Sequence, residues 1–386
     1  MKRIVCLILT VVILLSGCAV QKEEKENIPE PEAAPISAVW IYYDELSMIN
    51  EKGGTEKSFR KKMQTMLDNC VAWGINTVFL QVRPFADSFY ESEVFPWSRY
   101  LTGEQGKAVL YDPLKISVEE AHNRNISLHA WINPFRISFN EDVSKLSENH
   151  PALKWINNKS DDVVFVNRGI YFSPASLEAQ KLVVDGVREI IKNYDVDGIH
   201  IDDYFYPSTD EKVDAPFYKK YIEDGGKLKL EKWRLNTVSA FVSRMYNAVK
   251  SEDEDCVFSI SPAGNIQNNY ELQYADVKLW CEENGYADWI IPQLYYGFEN
   301  TSLPFDKALQ QWEEIRKNDE VKMIYGLAAY RVNEDAEWTA GTGIIEKQLN
   351  LLKTKSSASG VAYFSYSSLS DEKRSAEFVN LSQTSF

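Results

Sequence analysis

Val196-Asp-Gly-Ile-His-Ile-Asp-Asp-Tyr-Phe-Tyr-Pro207 decides how this chain is read. Asp195-Val-Asp-Gly198 makes a turn, Ile199 and Ile201 alternate with His200 and Asp202 at the period of two that marks a strand, and Pro207 ends the run. Such a strand carries acid at its C-terminal tip. With Ile199 and Ile201 packed under helices, His200 and Asp202 point the other way and Asp203 is turned off that face. Parity therefore favours Asp202 over Asp203 as the working carboxylate. The plainer reading has both capping the next loop or pairing with an arginine.

Outward from this stretch, the same strand-then-helix pattern repeats. Strands are predicted near Val39–Tyr43, Thr77–Val82, Ser127–Asn133, Gly198–Asp202, Val257–Ser261, Trp289–Tyr295, Lys322–Leu327 and Gly360–Ser365. Amphipathic stretches separate them at Glu56–Trp73, Pro113–Arg124, Leu177–Tyr194, Lys232–Lys250, Tyr270–Glu283, Pro304–Lys317 and Gly343–Lys353. Eight strands each followed by a helix predict an α/β fold, a (β/α)8 TIM barrel over residues 37–386, with an open doubly wound sheet as the alternative. The helix after Asp371 has the thinnest pattern, and residues 141–174 hold an extra hairpin at Val163–Phe172.

In a TIM barrel the chemistry sits at the C-terminal ends of the strands. Those ends read Phe79-Leu-Gln-Val-Arg-Pro84, Ala130-Trp-Ile-Asn-Pro-Phe-Arg136 and Pro292-Gln-Leu-Tyr-Tyr296. With Val82, Ile132 and Leu294 against helices, the inward set is Gln81, Arg83, His129, Trp131, Asn133, His200, Asp202, Gln293 and Tyr295. Tyr204, Tyr206, Tyr296 and Trp131 supply walls on which a ring can stack. The set suits a ligand rich in hydroxyls and amides.

These segments resemble the glycosyl hydrolase-like 10 family of bacterial envelope proteins, through Ala38-Val-Trp-Ile41, Asn76-Thr-Val-Phe-Leu-Gln-Val-Arg-Pro84, His129-Ala-Trp-Ile-Asn-Pro134, Asp197-Gly-Ile-His-Ile-Asp-Asp-Tyr204 and Pro292-Gln-Leu-Tyr-Tyr296. The resemblance covers nearly all of residues 38–370. It implies a TIM-barrel glycosidase acting on the peptidoglycan glycan of the cell wall or a related polysaccharide. Asp197–Tyr204 is also similar to the strand-four motif of chitinase-type glycosidases. There Asp202 matches the acidic residue that orients the substrate's acetamido group, but Tyr204 stands where that motif has its acid. The proton must then come from another carboxylate, or Asp202 and Asp203 must serve in a different arrangement.

Glycosidic cleavage generally needs one carboxylic acid for the leaving oxygen and one carboxylate as nucleophile or base. Asp202 is the first choice and Asp203 its partner, ahead of Glu299, Asp87 and Asp44. Arg83 and Arg136 would hold a carboxylate or lactyl group on the substrate, or else pair with Asp202 or Asp203. Asn133, Gln293 and Tyr295 would bind sugar hydroxyls or an acetamide. Two other functions compete: a metal-dependent envelope hydrolase (deacetylase or amidase) using His129, His200 and Asp202, and a glycan-binding lipoprotein without turnover. The glycosidase reading requires no cofactor and no metal.

At the N-terminus, Lys2 and Arg3 precede the apolar run Ile4–Leu15 and then Ser16-Gly17-Cys18, so residues 1–17 read as a signal peptide. Leu15-Ser-Gly-Cys18 resembles the lipobox of bacterial lipoproteins, which implies lipidation at Cys18 and an extracytoplasmic protein anchored to a bacterial membrane. Residues 18–36, with Pro29, Pro31 and Pro35 among Lys and Glu, read as a flexible, solvated linker. Cys70, Cys256 and Cys281 remain as buried thiols. The net charge of −15 argues against nucleic acid and anionic lipid as main partners and leaves a neutral polysaccharide open.

Overall fold

The structure, a computed structural model, describes residues 34–379 and Leu381. The expected signal peptide, Cys18 and the linker up to residue 33 lie outside them. In chain order the strands are β1 (Ile36–Ile41), β2 (Thr77–Arg83), β3 (Ser127–Ile132), β4 (Arg136–Ser138), β5 (Val163–Val166), β6 (Gly169–Phe172), β7 (Gly198–Ile201), β8 (Val257–Ile260), β9 (Trp289–Ile290), β10 (Lys322–Leu327) and β11 (Ala358–Tyr363). Eight of them close a parallel barrel in the spatial order β1, β11, β10, β9, β8, β7, β3, β2. This is the predicted TIM barrel, and it excludes the open sheet. The other three form a small antiparallel sheet ordered β4, β6, β5, inserted after β3 and built on the anticipated hairpin.

Strand parity sorts the residues into two apolar layers. Ile199 and Ile201 join the large core between barrel and helices, while Trp40, Phe79, Trp131, Trp289, Ile291 and Ile324 fill the barrel itself. Large rings in the barrel need small neighbours. Gly198 is one such neighbour, since a Cβ there would stand 2.4 Å from the His129 ring. On the outside, the helix Glu56–Ala72 begins at a Thr55–Ser58 capping box and buries Phe59, Met63, Met66, Leu67 and Cys70 at helical spacing. Asp112 caps Pro113–His122, and Ser176 caps Leu177–Asn193.

The long helix expected at Tyr270–Glu283 is two short ones, Ile266–Glu271 and Val277–Glu282. Asp276 ends the continuity because its carboxylate accepts from Leu279 N at 3.3 Å and caps a new helix. The predicted strand to Tyr295 is ladder-paired only at Trp289 and Ile290; Gln293 rejoins the sheet through isolated bridges to Ala263 and Gly326. After Asp371 there is one helical turn, Ser375–Phe378. Cys70, Cys256 and Cys281 are buried and free.

Candidate active site

β7 stops at Ile201, and the next residues carry the site. Asp202 is 4% exposed and held by its neighbours from β3. Trp131 Nε1 donates to Oδ2 at 3.1 Å, and Asn133 Nδ2 donates to Oδ1 and Oδ2 at 3.2 and 3.3 Å. Asn133 is itself fixed, since its Oδ1 accepts from Arg136 N at 3.0 Å. Burial leaves the Asp202 pKa above 3.8, and Arg136, Trp131 and Asn133 offset only part of that rise by favouring the anion.

Asp203 has weaker support, from the Gln293 side chain, its own backbone and the Arg136 charge. Burial first, then the neighbouring Asp202 charge, push its pKa from 3.8 up to about 7. Two adjacent carboxyls are thereby separated in character. Both are raised by burial, but Asp202 has partners that favour its anion, whereas Asp203 keeps its proton near neutrality. Parity had turned Asp203 away from the site; alternation ends with the strand at Ile201, and both side chains line the same cavity.

That cavity has a volume of about 340 Å³ at the C-terminal end of the barrel. Of the expected residues, Trp131, Arg136, Asp202, Asp203, Tyr204, Gln293, Tyr295 and Gln81 line it, and Asn133 stands behind Asp202. Gln293 lies beside Asp203. The Arg136 guanidinium sits 4.8, 4.5 and 5.1 Å from the Phe85, Phe139 and Tyr204 rings, and its Nε donates to Pro84 O. No salt bridge to Arg136 occurs among the described residues.

Three residues expected at the site lie elsewhere. Arg83 is fully buried on the helix side, over the Phe95 ring at 4.5 Å and close to Gly186. The cause is a bulge: Gln81 pairs with Trp131 but Arg83 pairs with Ile132, so β2 carries one extra residue and its alternation inverts. Its guanidinium nitrogens have no hydrogen-bond partner, and burial lowers its pKa to about 10. Tyr206 is also turned away; its hydroxyl donates to Asp214 Oδ2 at 3.0 Å, within a buried cluster that includes Arg234. Tyr296, expected as a wall, packs instead against Gly264.

The metal-binding trio does not assemble. His200 Nε2 accepts from Trp40 Nε1 at 3.0 Å, which leaves Nδ1 to donate to Ser259 Oγ at 2.9 Å. Both ring nitrogens are therefore taken. His129 packs between Phe79 and Trp289, and burial lowers its pKa to about 4. The other candidate acids are also absent from the cavity lining. Asp87 is buried beside Gln105, with its pKa raised by burial to about 6, and Asp44 and Glu299 are exposed.

Sequence reasoning missed Trp40, Tyr42, Tyr43, Phe139, Ser261, Tyr330 and Phe364 in the lining. Tyr42, Tyr43, Ser261 and Phe364 follow directly on β1, β8 and β11, so strand ends were the signal available. Tyr330 and Phe139 sit in the segments after β10 and β4, where no period marks them.

The chain is 34% identical over 360 residues to the glycosyl hydrolase YngK of Bacillus subtilis, spanning 86% of this chain and 68% of that protein. It is 29% identical over 378 residues to the glycosyl hydrolase DigH of Escherichia coli K12, spanning 87% and 84%. Among solved structures, the fold matches the PgaB (BpsB) glycoside hydrolase domain of Bordetella bronchiseptica with a TM-score of 0.67 at 13% identity, over 92% of this chain and 99% of that one. The family model for glycosyl hydrolase-like 10 matches residues 35–340. On that match and the YngK identity, this chain belongs to the glycosyl hydrolase-like 10 family.

Proposed function

We propose that this protein is a glycoside hydrolase that cuts glycosidic bonds in peptidoglycan glycan or a related polysaccharide, with Asp203 as the proton donor. The observation that carries this reading is the paired character of Asp202 and Asp203 in one aromatic cavity. A general acid works best with a pKa near the operating pH, and Asp203 lies at about 7. Asp202, whose anion Trp131, Asn133 and Arg136 favour against its burial, is the complementary group.

Where two protein carboxylates share the work, they flank the bond from about 5 to 9.5 Å apart. Here both rise from the end of β7, and the cavity lining holds no third carboxylate among the described residues. This fits a substrate-assisted route. The substrate's 2-acetamido oxygen attacks C1 as Asp203 protonates the leaving oxygen, and Asp202 orients the acetamide through its N–H. Water then opens the cyclic intermediate with Asp203 as base, which restores the acetamide and retains the anomeric configuration.

The basic-then-apolar start and the Leu15–Cys18 lipobox support an extracytoplasmic, lipid-anchored setting for this activity. No cofactor enters the scheme. The test is mass spectrometry of products after incubation with peptidoglycan, intact and stripped of stem peptides, beside Asp202→Asn and Asp203→Asn. New fragments carrying one water, absent from both variants, support the reading. Binding of glycan with no product from the parent protein would instead make it a binding lipoprotein.

A further inference from the structure

The two most exposed rings at the cavity mouth are Phe139 and Tyr204, each 53% exposed. Large rings left half in water at a ligand cavity invite cover. Neither is a floppy appendage: the Arg136 guanidinium lies against both, at 4.5 and 5.1 Å, and Arg136 is itself only 6% exposed. The segments that carry them are tied together as well. Phe139 follows β4, and the turn joining the other two strands of that small sheet donates from Asn167 Nδ2 to Pro207 O, in the loop that carries Tyr204. The mouth therefore presents a braced aromatic pair beside Asp202 and Asp203.

A second aromatic group stands across the barrel. Tyr42, Tyr330 and Phe364 follow β1, β10 and β11, and the latter two strands lie opposite β7 and β3 in the closed order. Tyr330 and Phe364 are edge-to-face at 6.2 Å, and Tyr42 stacks on Phe364 at 6.2 Å. Both groups line the one cavity, and its volume of about 340 Å³ lies at the small end of ligand sites. A polymer seated there has to continue past the rim.

We infer that a single glycan chain crosses the barrel mouth from the Phe139–Tyr204 pair to the Tyr42–Tyr330–Phe364 group, with sugars bound on both sides of the cut, so that the enzyme cleaves within chains. The Phe139–Tyr204 pair is a binding subsite at the rim of the cavity, and its occupant is the next sugar of the same strand. This rests on the glycosidase reading and adds the mode of attack and the chain-length requirement.

The experiment uses the mature protein and peptide-free glycan strands of graded length, labelled at the reducing end, with early products sized by chromatography and mass spectrometry. The inference expects internal fragments at first, with kcat/KM rising with chain length. Phe139→Ala should raise KM for long strands on the order of tenfold, change kcat little, and flatten the length dependence. Phe139→Tyr should restore it. Stepwise release of one small product from a chain end, or a Phe139→Ala enzyme with unchanged KM on long strands, overturns the inference while leaving a glycosidase in place. A parent protein that releases nothing from any strand refutes the glycosidase reading on which it rests.

Discussion

Asp203→Asn is expected to destroy activity and to stabilise the protein at the same time, by an amount that depends on pH. The carboxyl titrates at 3.8 in an ordinary environment and at about 7 in the folded chain. That difference amounts to about 4 kcal/mol at 1.36 kcal/mol per pKa unit. The native state holds the proton more tightly than the unfolded chain does. Below pH 4 both states are protonated and Asp203 costs nothing. The cost grows as pH rises from about 4 to about 7 and is full above that. An amide of the same shape never ionises, so the variant escapes it. Thermal unfolding of both proteins should give Tm values within about 1 °C at pH 4 and a gap on the order of 5 °C in favour of the variant at pH 8.5. In an Asp202→Asn background the gap should shrink without vanishing, because burial is the larger cause and the Asp202 charge the second. An equal gap at both pH values, or a variant less stable at pH 8.5, refutes the claim that Asp203 is held in a site hostile to its charge.

Activity should fall as pH rises through about 7, because the donor is lost as Asp203 ionises; a flat kcat/KM profile from pH 6 to 9 would exclude it as the acid. Trp131→Phe removes one donor to the Asp202 anion, so the acid limb of the profile should move to higher pH, with kcat reduced about tenfold; kinetic titration reads both. Arg83→Met should leave glycan KM unchanged and stability equal or improved, since it replaces a buried cation that has no hydrogen-bond partner and has the Phe95 ring against it with an apolar chain of similar reach; a large rise in KM would return Arg83 to the binding site. Arg234→Met should cost about 3–5 kcal/mol in chemical unfolding by stranding Asp214, and a loss under 1 kcal/mol would show the pair to be dispensable.

The barrel was legible because its signal is redundant. Eight apolar runs separated by amphipathic stretches survive the misjudgement of any one, as the broken Tyr270–Glu283 helix shows. Parity placed His200 and Asp202 inside because β7 is regular up to Ile201. The same rule failed wherever regularity stopped. One extra residue in β2 inverted Arg83, and the end of β7 freed Asp203 to turn into the cavity. Neither event leaves a mark in a single sequence, because a bulge is set by pairing with β3 and a strand end by where its neighbours cease to bond. Tyr206 was misjudged for another reason. Its partners Asp214 and Arg234 lie 8 and 28 residues on, and only the folded loop brings them together.

Those partners also explain how two adjacent carboxyls can be kept in one poorly solvated place. A loop free to move would swing Asp203 into water, and its pKa would fall towards 3.8. Arg234 grips Asp214 with Nε and Nη2, both at 2.6 Å, and also donates to Thr209 O and Tyr274 Oη, while Asp214 accepts from Tyr206. With its amide oriented to satisfy its neighbours, Gln273 donates to Asp203 O at 3.0 Å and Tyr206 O at 3.2 Å. The loop from Asp202 to Asp214 is thus tied at its middle and its far end, while Trp131 and Asn133 secure its start. A buried ion pair adds little net stability compared with apolar packing, yet it is expensive to break. Placed here, it helps keep the Asp203 side chain buried beside Asp202, and that burial, ahead of the Asp202 charge, holds a proton on Asp203 near neutral pH.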